Sequence, residues 1–68
     1  MKGTIKKVVQ EKGFGFISPE DGGKDIFFHV TDLAGDMDFN KIQAGEAVVF
    51  DVSDTPKGQK AIGVAYDS

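Results

Sequence analysis

Lys12-Gly13-Phe14-Gly15-Phe16-Ile17 and Asp25-Ile26-Phe27-Phe28-His29-Val30 decide how this chain folds, and seven residues containing Pro19, Gly22 and Gly23 separate them. If both are strands paired through that loop, the period of two puts Phe14, Phe16, Phe27 and His29 on one face and Ile17, Ile26 and Phe28 on the other. Asp25 falls on the face of Phe27 and His29, and Ser18 on the face of Phe14 and Phe16. Burying that side would bury a carboxylate, an imidazole and a hydroxyl, whereas the aliphatic side carries no such cost. The aromatic face is therefore expected to face solvent. A cluster of exposed rings on a small protein calls for a ligand, and flat rings beside lysines suit unpaired nucleobases.

Outward from this pair, punctuation and alternation give five strands: Lys2 to Val9, Gly13 to Ser18, Asp25 to Val30, Glu46 to Ser53 and Lys60 to Tyr66. In the fourth, Val48, Phe50 and Val52 point one way. Ile62 and Val64 of the fifth are expected to join the same interior. Pro19-Glu20-Asp21-Gly22-Gly23 and Asp54-Thr55-Pro56-Lys57-Gly58 suit short antiparallel links. One long connection runs from Thr31 to Gly45. In it Thr31-Asp32-Leu33 suits a single helical turn capped by Thr31, with Leu33 and Ile42 plugging the core. Five short strands in an open sheet would leave bare edges, so closure into a small barrel is favoured. Gly13 and Gly15, on the inward face of the second strand, would supply the coiling that closure needs.

The 68 residues make one domain, and a chain of this size buries only about 60% of the surface its unfolded state exposes. With no cysteine there is no disulfide framework, thiolate metal site or thiol nucleophile. No apolar run approaches the roughly 20 residues that span a bilayer, and Met1-Lys2-Gly3-Thr4 lacks the apolar segment of a secretory signal. No membrane role and a cytoplasmic location are the expectation.

Eight lysines against eleven carboxylates leave a formal net charge of −3, whereas nucleic-acid binders are usually basic. The charge is uneven. Residues 1–25 hold five lysines and four acids, and residues 26–68 three lysines and seven acids. The half with the aromatic motifs is the less acidic one.

Catalytic and metal readings find little support. His29 is the sole histidine, and Asp25, four residues away on the same strand face, would stand about 13 Å from it, so no acid–base dyad forms. Asp32, Asp36 and Asp38 lack the ligand spacing and terminal glutamate of a calcium loop. Gly13-Phe14-Gly15 is too short for a phosphate-binding loop. No enzyme activity, metal or cofactor is expected. Phe39, in the long connection, suits a side clamp on a base, with capping of the barrel end as the alternative.

The two aromatic segments resemble the first and second ribonucleoprotein motifs in the order and spacing found in bacterial cold-shock proteins. Gly3, Gly45, Lys57-Gly58, Ala61 and Val64 also follow that family's pattern. RNA-recognition motifs share Lys-Gly-Phe-Gly-Phe, but they place the two motifs in the reverse order and need two helices. The resemblance spans residues 1–68 as one cold-shock-like domain. It implies an all-β fold, a five-stranded antiparallel Greek-key barrel of the oligonucleotide-binding class, which holds single strands by stacking. By residue-wise matching, Lys6, Lys12, Phe14, Phe16, Asp25, Phe27, His29, Phe39 and Lys57 occupy nucleic-acid-contacting positions. Lys7 stands where the family typically has tryptophan, and Val8 and Val30 stand where it commonly has phenylalanine. The implied role is binding of single-stranded RNA or DNA, with RNA-chaperone activity. Weakened stacking leaves an alternative, a barrel repurposed for protein partners through Val8, Val9, Val30 and Phe27. A monomer is expected, with a strand-swapped dimer as the other option.

Overall fold

The computed structural model describes residues 1–35 and 37–67. Five strands form one sheet: β1 (Lys2–Val9), β2 (Phe14–Pro19), β3 (Ile26–His29), β4 (Ala47–Thr55) and β5 (Gly58–Tyr66). A single 3₁₀ turn, η1 (Val30–Asp32), follows β3. The strands close into a barrel in the order β1-β2-β3-β5-β4, with β4 returning to β1 through Lys2 opposite Val49, Gly3 opposite Val48 and Thr4 opposite Ala47. The pairings β1–β2, β2–β3, β4–β5 and β1–β4 are antiparallel. The seam between β3 and β5 is parallel and rests on one pair, Phe27 opposite Lys60.

The interior is the aliphatic underside of these strands. Ile5, Ile17, Ile26, Phe28, Ile42, Val48, Phe50, Ala61 and Val64 are each at most 5% exposed. Val8, Leu33 and Val52 pack against them from the rim. Phe28 reaches the centre because Gly15 stands opposite it in the β2–β3 ladder. A Cβ on Gly15 would sit 2.5 Å from the Lys7 carbonyl oxygen and 2.6 Å from the Phe28 ring, so only glycine fits between them.

Two irregularities break strict alternation. In β1 the register passes from Ile5 opposite Ile17 to Lys7 opposite Phe16, leaving Lys6 as an extra residue. The inward set therefore steps three residues, from Ile5 to Val8, and both lysines between them stay exposed. In β5 the register passes from Ala65 opposite Val49 to Ile62 opposite Asp51, with Gly63 at φ 59°. That left-handed residue makes a bulge, and Ala61 and Val64, again three apart, both turn inward. Ile62, expected inside, is only half-buried as a result, and Ala61 takes its place.

The long connection folds over one end of the barrel. Asp38 starts a turn: its carboxylate accepts from the Asn40 N–H at 2.9 Å, and its carbonyl from the N–H groups of Lys41 and Ile42. Phe39 and Ile42 lie three residues apart on this turn, and both point into the core with Met37. The turn after β3 is capped by His29 rather than Thr31: the His29 side chain accepts from the Thr31 N–H, and the Asp32 carboxylate accepts from the His29 N–H. Among the described residues no helix is long and apolar enough to cross a membrane.

Candidate nucleic-acid interface

The β2–β3 ladder pairs Phe14 with His29 and Phe16 with Phe27. All four side chains are half-buried and lie on the outer face, while Ile17, Ile26 and Phe28 beneath them are sealed in the core. The phenylalanines touch one another edgewise or tilted. Phe14 and Phe16 have ring centroids 5.9 Å apart at 84°, Phe14 and Phe27 5.5 Å apart at 42°, and Phe16 and Phe27 6.0 Å apart at 67°. These contacts hold the rings in place without stacking them face to face, so aromatic surface is left for a planar guest. Among the described residues no polar side chain is buried under this platform.

Lysines surround the rings. Lys7 is exposed on β1 opposite Phe16, brought there by the β1 bulge. Lys6 is exposed as well, but its ammonium pairs with Asp25 at 2.9 Å. Lys12 lies in the turn that leads into β2, where its N–H donates to the Val9 carbonyl. Lys57 lies in the β4–β5 turn and joins Phe27, Thr55, Gln59 and Lys60 around a cleft of about 450 Å³. This cleft extends the aromatic face toward β5.

Of the ten positions picked out in the sequence, Phe14, Phe16, Phe27 and His29 form the platform. Lys6, Lys7, Asp25 and Lys57 flank it, and Lys12 precedes it in the chain. Phe39 does not belong to it. At 8% exposure it packs in the core at the barrel end, where the turn begun at Asp38 directs it inward, which matches the capping alternative. Gln59 and Lys60 were missed. Their proximity to Phe27 comes from the parallel β3–β5 seam, a long-range pairing that leaves no local pattern.

The reading of His29 and Asp25 as separate groups agrees with their partners: Asp25 is engaged by Lys6, and His29 by Thr31. Among the described residues no three histidine, cysteine or carboxylate side chains gather as a metal site. Asp36, one of the three loop aspartates, lies outside the described residues.

Comparison with known proteins agrees with this geometry. Residues 1–66 match the family described as the 'Cold-shock' DNA-binding domain. The chain is 46% identical over 63 residues to a probable cold shock protein A of Mycolicibacterium smegmatis, covering 93% of this chain and 92% of that protein. It is 48% identical over 60 residues to the cold shock-like protein CspD of Escherichia coli, covering 88% and 80% of the two chains. A cold shock-like protein CspC of Buchnera aphidicola is 41% identical over 64 residues, 94% of this chain and 91% of the other. With an outward ring platform on a five-stranded barrel and a family match over nearly its full length, the chain belongs to the cold-shock domain family.

Proposed function

We propose that this domain binds single-stranded RNA or DNA by stacking bases on Phe14, Phe16, Phe27 and His29, while Lys7, Lys12 and Lys57 neutralise phosphates and Lys6 contributes once its pairing with Asp25 relaxes. The observation that carries this reading is the division of the β2–β3 hairpin into a half-exposed ring-bearing outer face and a buried inner face of Ile17, Ile26 and Phe28. Each stacked base contributes roughly 1–3 kcal/mol by alanine substitution, so three phenylalanine rings supply enough for useful affinity. Lys7, in place of a stacking residue, exchanges ring area for charge. Binding is accordingly weaker in its stacking part and more salt-sensitive than that of a domain with an aromatic side chain there.

Such a site holds unpaired strands and excludes duplex, whose bases are already stacked. By mass action it draws transiently melted RNA away from hairpins without consuming nucleotide, which is the action of an RNA chaperone. Titration of a pyrimidine oligonucleotide at several salt concentrations tests the proposal. Three phosphate contacts give a slope of about −2 for the logarithm of affinity against the logarithm of salt. Absence of binding at micromolar protein and low salt overturns it.

A further inference from the structure

The last residue of β3 presents a ring whose two nitrogens are not equivalent. His29 has φ −108° and ψ 158° and caps η1. Its Nδ1 lies 3.2 Å from the Thr31 backbone nitrogen and 3.0 Å from the Thr31 hydroxyl oxygen. The hydroxyl can donate or accept, but a backbone N–H only donates. Nδ1 must therefore keep its lone pair for Thr31, and the proton of the neutral ring resides on Nε2.

Asp32 fixes this arrangement from beneath. One of its carboxylate oxygens accepts from the His29 N–H at 3.0 Å, and the other pairs with the Lys60 ammonium at 3.2 Å. The Asp32 side chain is only 9% exposed, so the 29–32 backbone is pinned to β5 by a sheltered bridge. On the opposite side of the ring, Nε2 has no hydrogen-bond partner among the described residues. It lies toward Gly13, where a Cβ would sit 3.9 Å from it, and glycine places no side chain there.

We infer that Thr31 and Asp32 are positioning residues that lock His29 in its Nε2–H tautomer, so that the platform offers a bound base a hydrogen-bond donor. A base presenting a carbonyl oxygen at this subsite is selected over one presenting an amino group. The selectivity rests on the stacking function proposed above; the tautomer does not, because Thr31 sets it in the free protein.

Long-range ¹H–¹⁵N correlation of the free protein, recorded well above the ordinary histidine value of about 6.5, reads the tautomer directly. The Nε2–H pattern is expected in the unaltered chain and in Thr31→Ala, which keeps the backbone N–H. Asp32→Ala is expected to give a mixture of tautomers. An Nδ1–H pattern or a mixture in the unaltered chain overturns the inference, and this measurement needs no variant to fold. A locked ring in Asp32→Ala removes Asp32 from it.

The second arm compares oligothymidine with the same oligonucleotide carrying difluorotoluene, a non-polar isostere of thymine that stacks but has no carbonyl oxygens. His29→Phe keeps a ring and loses the donor. The preference of the unaltered chain for thymine over the isostere is expected to exceed that of His29→Phe by about three- to tenfold, the range of one net hydrogen bond. Equal preferences overturn the donor assignment and leave stacking intact. Failure of both oligonucleotides to bind the unaltered chain overturns the stacking function and the selectivity with it.

Discussion

Phe16 and Phe27 stand directly opposite each other in the β2–β3 ladder, with ring centroids 6.0 Å apart and planes inclined at 67°. Edge contact of this kind contributes to the hairpin while keeping ring surface open, so the same pair supports the fold and leaves room for the stacking proposed above.

Replacing both, as Phe16→Ala with Phe27→Ala, is expected to cost about 2–6 kcal/mol in oligonucleotide affinity, at 1–3 kcal/mol per stacked base. The fold should lose less, about 1–3 kcal/mol, since both rings are only half-buried. Fluorescence-anisotropy titration alongside urea denaturation separates the two quantities. A protein partner docked through Val8, Val9, Val30 and Phe27 would lose one contact and be weakened, whereas single-strand binding would lose both rings and be abolished.

Phe28→Ala, one position along the same strand, should behave in the opposite way. Its side chain is fully buried, and its truncation is expected to cost about 3–5 kcal/mol of stability. For a domain of this size such a loss threatens folding outright, and a large fall in midpoint temperature is the readout.

Lys7→Trp restores a ring opposite Phe16. It is expected to strengthen binding by about 1–3 kcal/mol and to flatten the salt slope by about 0.7, as one phosphate contact is given up. Titrations at three salt concentrations report both changes, and a rise in affinity with an unaltered slope would mean that Lys7 touches no phosphate.

Phe39→Ala is expected to lower stability by about 3–5 kcal/mol with little direct effect on the platform, because Phe39 belongs to the core at the barrel end. Binding measured well below the unfolding midpoint should stay within a few-fold of the unaltered chain. A specific loss of affinity with stability preserved would return Phe39 to the interface.

The central hairpin was legible because its alternation is unambiguous: Phe14 and Phe16 alternate with Gly15 and Ile17, and polar neighbours mark which side is wet. The strand count followed from glycine and proline punctuation, and β1 was bounded as found, Lys2–Val9. Strict alternation failed where a bulge intervened. Ile62 was placed inside because nothing in Lys60 to Tyr66 announces that Gly63 will turn left-handed and bring Ala61 and Val64 to the same side. Short hydroxyl and carboxylate side chains are the usual caps, which points to Thr31 for the turn after β3; here the imidazole two residues earlier takes the position, with Asp32 answering it. Of the two readings of Phe39, clamp or barrel-end cap, the local sequence does not choose; the turn at Asp38 points it at the core. Lys60 and Gln59 lay beyond reach, since only the closure of β3 on β5 brings them to Phe27.

Where β3 meets β5 the strands share a single ladder pair, with Leu33 opposite Val64 continuing the contact beyond the turn, so few peptide groups are shared along this edge. Unshared peptide groups of that kind invite a strand from a neighbouring molecule and, through it, fibre growth. Lys57 in the adjacent turn puts a cation at this gap, while Lys60 on β5 is held by Asp32, and like charge on an approaching copy opposes the alignment that polymerisation requires. A lysine that lines the cleft beside Phe27 thus also opposes self-assembly at the barrel's most sparsely paired stretch of wall.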